Sequence, residues 1–124
     1  MTIEQRTVGE VVVLSISGDI AMNGAGANLV ADQVRRLLQA GHNRLVLDLG
    51  HVRYVDSAGL GELVQALCAV RTRGGKMKLL NVTKRLTDLL VVTRLLTVFD
   101  CFDREAEALA SFDRQPMSDQ PRSR

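Results

Sequence analysis

Apolar and polar positions alternate on both sides of a Gly-Glu pair near the N-terminus. Residues 2–8 come first, then Gly9-Glu10, then Val11-Val12-Val13-Leu14-Ser15-Ile16-Ser17, and alternation across so short a connection predicts a β-hairpin. In the second strand Val12, Leu14 and Ile16 share one face while Val11, Val13 and Ser15 share the other. One face can therefore be core and the other partly covered. Gly18-Asp19 is read as the end of this strand. Over residues 27–40 the period changes to that of a helix, with Val30, Val34, Leu37 and Leu38 on one side and Gly41 as a stop. Leu45-Val46-Leu47-Asp48-Leu49 is nearly continuous in apolar residues, as a strand buried on both faces would be.

Val52-Arg53-Tyr54-Val55 then leads into Asp56-Ser57-Ala58-Gly59-Leu60. A second helical stripe follows, through Leu60, Leu63, Val64, Leu67 and Val70 to Gly74-Gly75, and Ser57 stands where a helix N-cap belongs. Met77, Leu79 and Leu80 predict a short strand, and Thr83 caps a helix carrying Leu86, Leu89 and Leu90. A last strand is expected over 98–102, with Asp103 capping a helix over 104–112. Glu105 and Glu107 lie in its first turns, where the helix dipole favours negative charge. The pattern is that of an α/β domain: a mixed β-sheet, an N-terminal hairpin followed by parallel βα units, with about four packed helices. Residues 1–112 form the domain, and residues 113–124, with both prolines and one large apolar side chain, Met117, are expected to be a disordered tail.

Composition narrows the function more than the fold. Sixteen Lys and Arg against fourteen Asp and Glu leave a formal charge of +2, and Tyr54, Phe99, Phe102 and Phe112 are the only aromatics. Neither the charge nor a base-stacking platform speaks for nucleic acid. The N-terminus lacks the layout of a signal peptide, and no apolar run reaches the ~18 residues of a membrane span. A cytoplasmic protein without direct membrane insertion is expected. Cys68 and Cys101 stand alone in apolar surroundings and are read as packing residues; with only His42 and His51 beside them, no metal or cofactor site is expected. Arg71, Arg73, Lys76 and Lys78 around Gly74-Gly75, with Lys84 and Arg85 beyond, are read as solvated. The apolar run over 91–99 is read as core.

The segment from Asp56 to Gly61 is the one place where small and polar residues separate two strongly apolar stretches without serving as a simple turn. A serine nucleophile elbow needs Gly two residues before the serine, but position 55 is Val, and both histidines precede Ser57. A phosphate-binding loop needs Gly-Lys-Ser/Thr, and Gly59-Leu60-Gly61-Glu62 lacks both the lysine and the hydroxyl. No catalytic constellation is present, so an enzyme is not expected. The plainest role for Ser57 is as a helix cap contributing roughly 1 kcal/mol.

The run from Leu45 through Asp56-Ser57-Ala58-Gly59-Leu60-Gly61-Glu62-Leu63, continued by Gly75-Lys76-Met77-Lys78-Leu79-Leu80, Leu95-Leu96-Thr97-Val98-Phe99 and Glu105-Ala106-Glu107-Ala108-Leu109, resembles the STAS domain family. More narrowly it is similar to the bacterial anti-sigma factor antagonists, regulators of transcription in stress responses. The resemblance implies partner switching. The unphosphorylated antagonist binds an anti-sigma factor serine kinase that otherwise sequesters a sigma factor, and phosphorylation releases the kinase. A phosphoserine phosphatase would reset the switch.

Carried over by position, the resemblance makes Ser57 the phosphoacceptor, with Asp56, Ser57, Ala58, Gly59, Asp19 and Asn23 as partner-binding residues. Gly18-Asp19 is placed in the neighbouring loop. Many antagonists carry an acid where this chain has Ala21, so Asp19 or Asn23 would supply the polar contact. Leu60 belongs to the buried stripe. The alternative is a STAS scaffold or accessory subunit of a signalling assembly or membrane transporter that is not phosphorylated.

Overall fold

The computed structural model describes residues 2–20 and 29–113. Within them the chain runs β1 (Thr2–Val8), β2 (Val11–Ile20), α1 (Leu29–Gln39), β3 (Arg44–Val55), α2 (Ser57–Thr72), β4 (Lys76–Leu80), α3 (Lys84–Val92), β5 (Asp100–Phe102) and α4 (Glu105–Asp113). The strands form one sheet in the order β1-β2-β3-β4-β5. Only β1 and β2 are antiparallel, and the later pairs are parallel. This is the expected hairpin followed by βα units.

The two faces of the sheet follow from side-chain alternation. Val12, Leu14, Ile16, Leu45, Leu47, Leu49 and Leu79 point to the face covered by α1, α2 and α3, where Val34, Leu63, Val70 and Leu90 complete the main core. The intervening residues Val11, Val13, Val46 and Leu80 point to the other face, where Ala108 and Phe112 of α4 cover them. A strand buried on both sides can be apolar at consecutive positions, which explains Leu45-Val46-Leu47. α4 is also tied to the hairpin, because the Arg6 guanidinium donates to both carboxylate oxygens of Glu105. The hydrogen bonds from Arg6 hold the Glu105 carboxyl below its ordinary range. Their stabilisation is present above the ordinary carboxylate range and is lost as pH falls through the lowered value.

Several expectations need correction. β2 does not stop at Gly18-Asp19 but continues to Ile20, passing a register irregularity between Gly18 and Asp19. Gly18 has φ +99°, a left-handed conformation that glycine adopts without a Cβ clash. β3 likewise continues beyond Leu49, to Val55. The last strand is only Asp100–Phe102, and α4 begins at Glu105. The 91–99 run is divided: Phe99 is buried, whereas Val91, Val92 and Leu96 are exposed. Cys68 and Cys101 are exposed rather than packed inside. Residues 113–124 were expected as a tail; Asp113 is the last residue of α4, and 114–124 lie outside the described residues.

Lys78 is the sharpest departure from the solvated reading of the basic cluster. Its side chain is 2% exposed, and its Nζ donates to Asp100 Oδ2 at 2.8 Å, the residue opposite it on β5. The same ammonium lies 5.4 Å from the centre of the Phe112 ring. An apolar stem filling space beneath α4 and a charged head reaching an exposed carboxylate reconcile burial with charge. Because Asp100 stays 60% exposed, removing the lysine leaves no carboxylate stranded in the interior. Lys78→Met should therefore cost within about 1.5 kcal/mol, as volume-conserving swaps do. Lys78→Ala, which also opens a cavity, should cost about 2 kcal/mol or more. Urea unfolding of the two variants checks this, and a Met variant as unstable as the Ala variant would show that the ion pair, not the stem, secures α4.

Candidate functional site

β2 and β3 end side by side, with Ile20 in register with Val55. The chain leaves β3 through Asp56, whose backbone is extended (φ −93°, ψ −177°), and enters α2 at Ser57. The Asp56 carboxylate accepts a hydrogen bond from the Gly59 amide at 2.7 Å. Asp56 is thus the N-cap, in place of the expected Ser57. The difference of one position matters chemically. Ser57 is the first helical residue, it is exposed, and its hydroxyl is not committed to capping the helix.

What fixes this geometry is the approach of α2 to the end of β2. The Asp56 amide donates to the Ile20 carbonyl at 3.4 Å, and a Cβ built on Gly59 would lie 1.9 Å from that carbonyl oxygen. No side chain fits there. Gly59 is buried and internal, so it shapes the surface without being accessible to a partner, contrary to the contact role expected of it. Leu60, 4% exposed, lies in the main core as expected. Gly61 has open space around its Cβ position, and Ala58 is half-buried.

Asp19 lies in β2 rather than in a loop, opposite Tyr54, and pairs with Arg53 at 3.5 Å with both side chains largely exposed. It therefore comes to the same end of the sheet as Asp56, Ser57 and Ala58. Asn23 lies outside the described residues. A groove of about 290 Å³ runs between the end of β3 and α3, with Tyr54, Val55, Leu86, Leu89 and Val92 among its walls. Tyr54 is 48% and Val92 78% exposed, so the groove has an apolar surface open to solvent.

Glu62, not singled out in the sequence, also belongs to this region. It is 5% exposed, and its Oε2 accepts from the amides of Val30 at 2.6 Å and Ala31 at 3.1 Å. Its acceptor role concerns backbone groups on another helix, which no side-chain pattern announces. The only trace in the sequence is an acid set between Leu60 and Leu63 in an otherwise apolar stripe. Among the described residues no group of three or more His, Cys, Asp or Glu could hold a metal ion, and no helix is long and apolar enough to cross a membrane.

Comparison with known proteins follows the same outline. The STAS domain family matches residues 2–108. The anti-sigma-B factor antagonist of Bacillus subtilis is 34% identical over 88 residues, covering 66% of this chain and 80% of that protein. The TM1081 homolog of Thermotoga neapolitana is 33% identical over 72 residues, a match that spans 58% of this chain and 64% of that protein. The crystal structure of TM1081 from Thermotoga maritima is similar with a TM-score of 0.83 and 26% identity, over 90% of this chain and 95% of that one.

The two helical glycines of the motif should respond oppositely to alanine. Gly59→Ala forces α2 away from the Ile20 carbonyl and should destabilise by about 1–3 kcal/mol, the usual range for overpacking. Gly61→Ala meets nothing and should stabilise by up to about 1 kcal/mol through helix propensity. Thermal or denaturant unfolding of the pair decides, and equal effects would contradict the packing described.

Proposed function

The chain belongs to the STAS domain family, among its anti-sigma factor antagonists, and from that premise we propose that it works as a phosphorylation-controlled partner switch. In this reading the unphosphorylated chain binds an anti-sigma factor serine kinase in the cytoplasm, and phosphorylation of Ser57 releases that kinase. The observation that carries the reading is the exposed Ser57 hydroxyl at the first position of α2, with Asp56 rather than Ser57 committed to the cap. The γ-phosphoryl group of ATP would pass to Ser57 Oγ as the bond to ADP breaks and the hydroxyl proton leaves to a base on the kinase. A phosphatase would return the serine.

The physical consequence of the phosphate is local. It adds roughly −1.5 to −2 charges, which would bring the formal charge of the chain from +2 to near zero. At the first turn of a helix those charges meet backbone N–H groups and the positive end of the dipole, so the domain need not unfold to accept them. Beside Asp56, the same charges oppose a partner that must strip water from this surface. Asp56, Ala58 and Asp19 are the accessible neighbours proposed to meet the partner, and Asn23 is retained in that role from the family resemblance.

Incubation with ATP and histidine-kinase-like serine kinases, followed by intact mass and phosphosite mapping, should give one phosphate, on Ser57, and none on Ser57→Ala. Ser57→Ala should still bind the kinase, while Ser57→Asp should stay folded and lose binding. A wild-type chain that binds such a kinase without accepting phosphate would favour the scaffold role instead. A Ser57→Asp chain that melts would make Ser57 a structural residue.

A further inference from the structure

The first four amides of an α-helix have no acceptor within the helix. In α1 two of these, Val30 and Ala31, donate to the buried carboxylate of Glu62 on α2. The carboxylate also faces the positive end of the α1 dipole. A residue of one helix thus caps its neighbour, and the bond joins positions 32 apart in the chain.

The position of Glu62 gives this bond a further consequence. Asp56, Gly59 and Glu62 follow one another at intervals of three along the start of α2. The first two hold Ile20, through the Asp56 amide and the missing Cβ of Gly59. The third holds Val30 and Ala31. The end of β2 and the start of α1 are therefore both fastened to the turns of α2 that begin with Ser57.

We infer that Glu62 is a positioning residue for the switch: without touching the partner, it fixes the start of α1 relative to the first turns of α2, which carry Ser57. The inference rests on the partner-switch reading for its effect on recognition, but the clamp itself is a property of the chain alone. Packing would be satisfied by any side chain of similar volume, whereas the clamp needs an acceptor oxygen. Methionine keeps the volume and removes the oxygen, and glutamine keeps an oxygen without the charge.

Amide hydrogen exchange of Glu62→Met and Glu62→Gln, compared with the natural chain, tests the clamp. In Glu62→Met, exchange at Val30 and Ala31 should rise at least tenfold, with core strand amides such as Leu47 unchanged; in Glu62→Gln most of the protection should return. Unchanged Val30 and Ala31, or a uniform rise across the chain, would overturn the inference. So would a Glu62→Met chain that does not fold, because the carboxylate would then serve the whole fold. In phosphorylation by the anti-sigma factor kinase, Glu62→Met should raise KM at least tenfold with kcat nearly unchanged, and Glu62→Gln should restore KM. An unchanged KM would remove the role in recognition. A natural chain that no kinase phosphorylates counts against the partner switch and not against the clamp, which hydrogen exchange decides alone.

Discussion

The Ile20 carbonyl and the Cα of Gly59 stand closer than any side chain at position 59 would allow. Much of the site depends on that approach. It draws the first turn of α2 onto the end of β2 and leaves Asp56 to cap the helix with its own carboxylate. It then turns Ser57 outward as the first helical residue. The switch surface is thus built from backbone geometry first and side-chain chemistry second. A helix whose capping is already supplied can present its neighbouring hydroxyl to solvent without loss of stability.

Glu62 extends the same attachment by one turn, to the start of α1. Together the two contacts make the start of α2 a hub to which the end of β2 and the start of α1 are both fastened. The opposite face of the sheet is organised separately. There α4 rests on Val13, Val46 and Leu80 and is secured by the Lys78 stem and the Arg6–Glu105 pair. A charge placed at Ser57 is therefore added to one end of the sheet, while the covering of the other face stands on its own contacts.

Most of this fold was legible in the chain because its elements are strongly periodic. The hairpin, the doubly buried β3 and the α2 stripe each follow from the spacing of aliphatic side chains. The ends of elements were less legible. β2 passes through Gly18-Asp19 because its pairing with β3 continues on the far side of an irregularity, which a local stop signal does not register. In the site, the Asp-Ser pair marked the right turn, but both residues are good caps, and only the backbone angles assign the role to Asp56. Gly59, Glu62 and Lys78 were misread or missed for a common reason. Each is explained by a group distant in sequence: the Ile20 carbonyl, the α1 amides, and Asp100 with the Phe112 ring.

The central claim is that a phosphate on Ser57 changes the surface at one end of the sheet while the fold persists. The direct measurement is a ¹⁵N–¹H correlation spectrum of the chain with phosphoserine installed at position 57 during translation, set against that of the unmodified chain. Shifts should concentrate in the first turns of α2, the end of β2 and the start of α1. Amides of β4 and α4 should keep their positions. Shifts spread through the core strands, or the collapse of dispersion that accompanies unfolding, would contradict it.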